Sequence, residues 1–197
     1  MNRLPFIIIA SAAMIATGTF TAVAGDLRIT ELMQSNVTGY FDDTKNFTDS
    51  WVELYNAGEE TVNLSEYSIG IKSSSSKAWQ LPSMYIQPGA YVIVCCDKEE
   101  AGLHTSFRLE SNKAGNVYLF KDGTLVASVK HPAQPAPDIA YGLDSSGNWG
   151  YELTATPGAV NNDGQCDASL ILGDPVFSHA GCINPTFTSV SLSLPAD

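Results

Sequence analysis

Two glutamates stand where apolar residues are expected: Glu31 within the run Leu27-Arg28-Ile29-Thr30-Glu31-Leu32-Met33, and Glu53 within Trp51-Val52-Glu53-Leu54-Tyr55-Asn56. A pair of carboxyl groups at a suitable separation is the machinery of glycoside hydrolysis. The alternative is structural: each carboxyl accepts hydrogen bonds from backbone or hydroxyl groups near a strand end, because a buried charge without partners is costly. No cleft and no row of sugar-stacking aromatics is evident beside either residue, so the structural role is preferred.

The other candidates are weaker. Asp42, Asp43 and Asp49 fall in one polar loop and could hold Ca²⁺, but they lack the spacing and the glycine of an EF-hand loop, and a solvated loop is the simpler reading. His104, His131 and His179 are far apart and fit neither an H-E-x-x-H nor a Cys/His zinc pattern. The serines from 73 to 76 lack the glycine framing of a nucleophile elbow. Trp79 and Trp149 could stack on sugar rings if they shared an exposed surface, although core packing is expected for at least one of them. No catalytic, cofactor-binding or metal-ligating residue is therefore assigned from sequence, and no cofactor is implied.

Four cysteines complete the reactive inventory. Cys95 and Cys96 are adjacent in a strand-like run, so their side chains should point to opposite faces. A bond between neighbours in sequence needs strained geometry, and two thiols are expected there. Cys166 and Cys182 are expected to form one native disulfide, closing a loop of a size for which chain entropy gives roughly 3 kcal/mol.

These groups must be positioned by a chain that reads as exported. Arg3, an apolar run over residues 6–15 and the small-residue site Ala22-Val23-Ala24 form a signal-peptide pattern over residues 1–24. Removing it from 197 residues leaves 173, and because all 21 acidic residues lie beyond it while Arg3 is lost, the formal charge moves from −11 to −12. Such acidity, with lysines scattered singly, argues against a nucleic-acid partner, since those domains carry a basic stripe. No later run is long and apolar enough to span a membrane. An exported, periplasmic, cell-surface or secreted location follows as an expectation.

The positioning elements are short strands. Residues 27–33 should form the first, with Leu27, Ile29, Glu31 and Met33 on one side, followed by a long exposed loop over 34–50. In the strand at 51–56, Val52 and Leu54 fall on one face and Trp51, Glu53 and Tyr55 on the other. Further strands are expected at 67–72, 78–81, 107–109 and 139–142, with a fully buried one at 91–95 that places Val92 and Val94 in the core. Gln87-Pro88-Gly89-Ala90 suits a type II turn, and Asp122-Gly123 between apolar runs marks a hairpin. Residues 97–103 could make one or two helical turns. Residues 143–150 read as turn, and 156–161 as a closing loop. About eight or nine short strands without a convincing helix predict an all-β fold, an Ig-like antiparallel β-sandwich, with a small barrel as the second choice.

Taken in chain order, Ile29-Thr30-Glu31-Leu32-Met33, Trp51-Val52-Glu53-Leu54-Tyr55-Asn56, Val62-x-Leu64, Ile86-x-Pro88-Gly89-x-Tyr91, Asp122-Gly123 and Thr156-Pro157-Gly158-Ala159-x-Asn161 resemble bacterial lamin-tail domains over residues 26–162. The resemblance implies an Ig-like sandwich in a secreted or surface protein, acting as a non-catalytic accessory module often joined to hydrolases or other extracellular domains. It carries no catalytic residues to transfer. The tail, through Pro175-Val176-Phe177-Ser178-His179-Ala180-Gly181 and Val190-Ser191-Leu192-Ser193-Leu194, is similar to the opening of a chitobiase-type C-terminal domain of the kind found ahead of spore-coat-protein-H-like domains. Cys182-Ile183-Asn184 departs from the aromatic residues usual after that glycine.

The expected organisation is thus a signal peptide over 1–24, a lamin-tail-like β-sandwich over 25–162, and a linker with the incomplete start of a second β domain over 163–197. The expected function is an accessory binding module that contacts a protein or a glycan. A spacer domain of a larger extracellular enzyme is the alternative, ahead of a Ca²⁺-binding or hydrolytic domain.

Overall fold

Period-two alternation gives each strand one apolar face, and burying those faces against each other decides the architecture. The structure, a computed structural model, describes residues 26–42 and 48–162 and the backbone of two short strands in the tail. The strands are β1 (Leu27–Met33), β2 (Trp51–Asn56), β3 (Val62–Asn63), β4 (Tyr67–Gly70), β5 (Trp79–Gln80), β6 (Tyr85–Ile86), β7 (Tyr91–Cys95), β8 (Gly115–Lys121), β9 (Thr124–His131), β10 (Ala140–Leu143) and β11 (Trp149–Glu152). One antiparallel sheet runs β11-β10-β1-β2-β7 and a second runs β5-β4-β8-β9, while β3 and β6 form a separate ribbon. In the tail, β12 (Val176–Phe177) pairs antiparallel with β13 (Leu192–Ser193).

The sheets share one core. Leu27, Ile29, Val52, Leu54 and Val94 from the first pack in the same buried cluster as Tyr67, Ile69, Val117 and Leu119 from the second. The fold is the all-β, Ig-like antiparallel sandwich that the strand pattern predicts. No α-helix occurs among the described residues, only two 3₁₀ turns at Leu64–Glu66 and Ser75–Lys77. Both expected turns form: Gly89 takes φ 75° with the Ala90 N–H donating to the Gln87 carbonyl, and Asp122 and Gly123 take φ 47° and 78°, the two positive values a type I′ hairpin requires.

The first strand departs from simple alternation. Ile29 pairs with Leu54 but Glu31 pairs with Glu53, so Thr30 is an extra residue in a β-bulge. Leu27, Ile29 and Leu32 therefore face the main core, whereas Glu31 and Met33 turn to the opposite face. The expectation that Leu27, Ile29, Glu31 and Met33 share one side is wrong, because the bulge resets the count.

Other expectations need correction. Val52, Leu54 and Val94 are fully buried, but Tyr91 and Val92 are only half-buried, since β7 is an edge strand and its first two residues lie near open surface. Residues 107–109 form no strand; Phe107 and Leu109 reach the core from a loop, tied down by a single bridge between Asp97 and Arg108. Residues 97–103 form no helical turn, being held in a loop by left-handed backbone at Lys98, Glu100 and Gly102. The loop after β1 is not wholly exposed: Gln34, Asn36, Asp42, Thr48 and Ser50 are buried. The region read as turn at 143–150 passes into β11, because Trp149 and Tyr151 pair with Leu143 and Tyr141. The signal peptide over 1–24, Asp43, His179 and the pair Cys166 and Cys182 lie outside the described residues.

Candidate functional site

The face of the five-stranded sheet opposite the core is where the polar chemistry collects. Trp51 and Glu53 on β2, Glu31 and Met33 on β1 and Ile93 on β7 belong to it, and Met33, Trp51, Ile93 and Ala140 form a second, smaller apolar cluster under Tyr40 and Ala155. Tyr40 meets Trp51 with ring centroids 6.1 Å apart. A sheet face with its own small core under loops is largely withdrawn from water, which changes how its charged residues behave.

Three carboxyl groups are sealed beneath the closing loop. Glu31 and Glu53 are direct cross-strand partners, and Glu152 on β11 joins them; all three are essentially inaccessible to solvent. The loop is built to reach them. Thr156, Pro157, Gly158 and Ala159 form a turn in which the Ala159 N–H donates to the Thr156 carbonyl, with Pro157 first and Gly158, at φ 82°, second among the central residues. The Thr156 N–H donates to Glu31 Oε1 at 3.0 Å and the Gly158 N–H to Glu53 Oε2 at 2.7 Å. The Thr156 hydroxyl lies 3.4 Å from Glu31 Oε2 and 3.5 Å from Glu152 Oε2, bridging two of the acids. The bulge completes the arrangement, since the Thr30 hydroxyl donates to Glu53 Oε1 at 2.6 Å while its carbonyl accepts from Asn161 Nδ2 at 2.7 Å. Asn161 Nδ2 also donates to the Leu143 carbonyl, tying β1 and β10 to the loop.

Burial is the main cause that raises the pKa values of these carboxyls. It pushes Glu31 up to about 8 against the lowering effect of the Thr156 N–H, with Glu152 and Glu53 raising it further. Burial likewise pushes Glu53 and Glu152 up to about 7. The structural alternative for Glu31 and Glu53 is thus the one observed, with Glu152 as a third member that the sequence reading missed. A sugar would have to displace the closing loop to reach them.

Next to this cluster lies an open cleft of about 750 Å³, lined by Tyr40, Asp42, Tyr91, Glu99 and His104, with Met84 and Pro157 at its edges. Tyr91 packs against Tyr55 with centroids 4.6 Å apart, and Tyr85, beside Met84, is 67 % exposed. At one end of the cleft Cys95, Asp97 and His104 converge. His104 Nδ1 lies 2.6 Å from Asp97 Oδ2, and His104 Nε2 lies 3.7 Å from Asp42 Oδ2. Cys95 and Cys96 form no disulfide, as expected, and they face opposite ways: Cys96 packs in the main core, where burial raises its thiol pKa, while Cys95 lines the cleft. The sequence offered half of this grouping, since Cys95 and Asp97 are two apart and share a side of an extended chain. It gave no sign that the loop would return His104 to them.

The remaining candidates scatter. Asp49 pairs with Arg108 and Asp42 faces His104, so these two acids of the loop weighed as a Ca²⁺ site take separate partners. His131 is buried with Nδ1 3.0 Å from the Pro132 carbonyl, and burial lowers its pKa. Ser74 and Ser76 bond to each other in an exposed loop. Trp79 and Trp149 are half-buried against the main core on edge strands of different sheets, so they make no common platform.

A family model described as Lamin Tail Domain matches residues 21–133, more than half of the chain. The matched stretch includes β1 to β9 and ends before β10, β11, the closing loop and the tail. No curated protein and no solved structure matches the chain.

Proposed function

Because the chain belongs to the lamin tail domain family, an Ig-like interaction or structural module, we propose that it is a non-catalytic accessory domain of an exported or cell-surface protein, contacting a protein or a glycan through the cleft beside the closing loop. The observation that carries this reading is the aromatic edge of that cleft. Tyr40 and Tyr91 line it, Tyr40 against Trp51 and Tyr91 packed against Tyr55. Amphipathic rings around a concave surface give contact area with a polar handle, the chemistry suited to sugar rings and to protein partners alike. The neighbouring carboxyls support a non-catalytic role, since both oxygens of Glu31 and of Glu53 are engaged by Thr30, Thr156 and Gly158 beneath the closing loop.

In this reading residues 1–24 are removed on export, 25–162 form the domain, and 163–197 form a linker and the incomplete start of a second β domain of the chitobiase type. Glycan and protein arrays probed with the full chain and with a Tyr40→Ala, Tyr91→Ala double variant test the contact surface. Selective binding that the double variant loses is the expected result. Binding no stronger than that of an unrelated sandwich would leave the domain as a spacer.

A further inference from the structure

We propose that Cys95, Asp97 and His104 bind a single divalent metal ion of the zinc class, with Asp42 orienting the histidine. The three groups come from the end of one strand and the loop that returns to it. Cys95 closes β7, Cys96 turns into the main core, and Asp97 comes back to the side of Cys95. The chain then turns through the left-handed residues Lys98, Glu100 and Gly102. It is clamped where it returns: the Cys95 N–H donates to the Leu103 carbonyl and the Thr105 N–H to the Cys95 carbonyl, each at 2.8 Å. His104 is thereby fixed beside the sulfur.

The geometry fits an ion. One ligand atom from each residue lies within 4.8 Å of the other two. Ligands that sit about 2.0–2.3 Å from a tetrahedral zinc ion are themselves about 3–4 Å apart, so small side-chain rotations close the site. Asp97 is held for the task, with the Glu99 N–H donating to Oδ1 at 3.2 Å. When His104 binds through Nδ1, its Nε2–H faces the Asp42 carboxylate, the carboxylate-to-histidine support that metal-bound imidazoles commonly have.

Charge and access agree. Asp42, Asp97 and Glu99 each place an oxygen within 3.8 Å of a His104 ring nitrogen, three acids around one imidazole, and the Arg108 guanidinium nearby is engaged with Asp49 and the Asp97 carbonyl. A thiolate and an imidazole select zinc or a similar transition metal over Ca²⁺ and Mg²⁺, which prefer oxygen alone. Cys95, Glu99 and His104 line the cleft, which supplies the entry path and a fourth position for water or for Glu99. A bound ion would fasten the loop over 97–104 to β7 and so fix one wall of the cleft.

The test uses the full chain, stripped with a chelator and titrated with zinc and with cobalt(II). One equivalent is expected to bind, with a thiolate-to-cobalt charge-transfer band. His104→Gln should weaken binding at least tenfold, and Asp42→Asn about tenfold. One equivalent should survive in a Cys166→Ser, Cys182→Ser double variant, which separates this site from the tail thiols. Since His104→Gln could disturb folding, alkylation of the wild-type chain provides a second readout, in which zinc should slow modification of Cys95 at least tenfold. Absence of binding, binding lost with the tail cysteines but kept in His104→Gln, or unchanged alkylation of Cys95 would overturn the proposal.

Discussion

The two faces of the five-stranded sheet are made from alternate residues of the same strands, yet different forces hold them. On the inner face, Leu27, Ile29, Val52, Leu54 and Val94 meet the second sheet through apolar contact that is non-directional and insensitive to pH. On the outer face, Glu31, Glu53 and Glu152 are fixed by directed hydrogen bonds from Thr30, Thr156 and Gly158 under a loop. The difference teaches that a sandwich can have one face whose stability depends on volume and another whose stability depends on protons.

That contrast can be broken first at its apolar side. Leu54→Ala, at a site with no solvent exposure, should cost about 3 kcal/mol in urea unfolding, and by the same amount at acid and at alkaline pH. A smaller loss, about 1–2 kcal/mol, is expected for Asn161→Ala, which removes the donors to the Thr30 and Leu143 carbonyls and so loosens the closing loop; faster amide exchange at Thr156 and Gly158 would accompany it. At the surface of the second sheet the effect should nearly vanish. Glu66→Gln breaks the half-exposed pair with Lys121 and should change stability by less than about 0.5 kcal/mol in the same assay.

The inner face was legible in the sequence because period two and turn chemistry act locally. Val52 and Leu54, the Asp122-Gly123 hairpin and the turn at Gly89 all follow from their own residues and immediate neighbours. The outer face was legible only in part. Glu31 and Glu53 stand out as acids in apolar runs, but their backbone donors lie more than 100 residues away, at Thr156 and Gly158. Thr30 gives no local sign that it is a bulge, so plain alternation puts Glu31 and Met33 on the wrong side. Glu152 ends a short strand that begins inside the stretch read as turn, and nothing in Trp149-Gly150-Tyr151-Glu152 marks the acid as buried. The convergence of Cys95, Asp97 and His104 depends on a returning loop held by left-handed lysine and glutamate residues, and those side-chain types carry no signal for that conformation.

The outer carboxyls also fix the sign of the pH dependence. Their folded values, about 8 for Glu31 and about 7 for Glu53 and Glu152, lie above the ordinary 4.5, so the folded chain holds protons that the unfolded chain has released. Their contribution is complete below about pH 4.5 and is lost progressively from there as the pH rises through about 7–8. The direct test is a carbon-13 titration of the glutamate side chains in the folded protein, with Glu31→Gln, Glu53→Gln and Glu152→Gln variants to assign the signals. Three carboxyls with midpoints near 7–8, each signal removed by one variant, is the expected result. Midpoints near 4.5 for all three would contradict a proton-holding outer face.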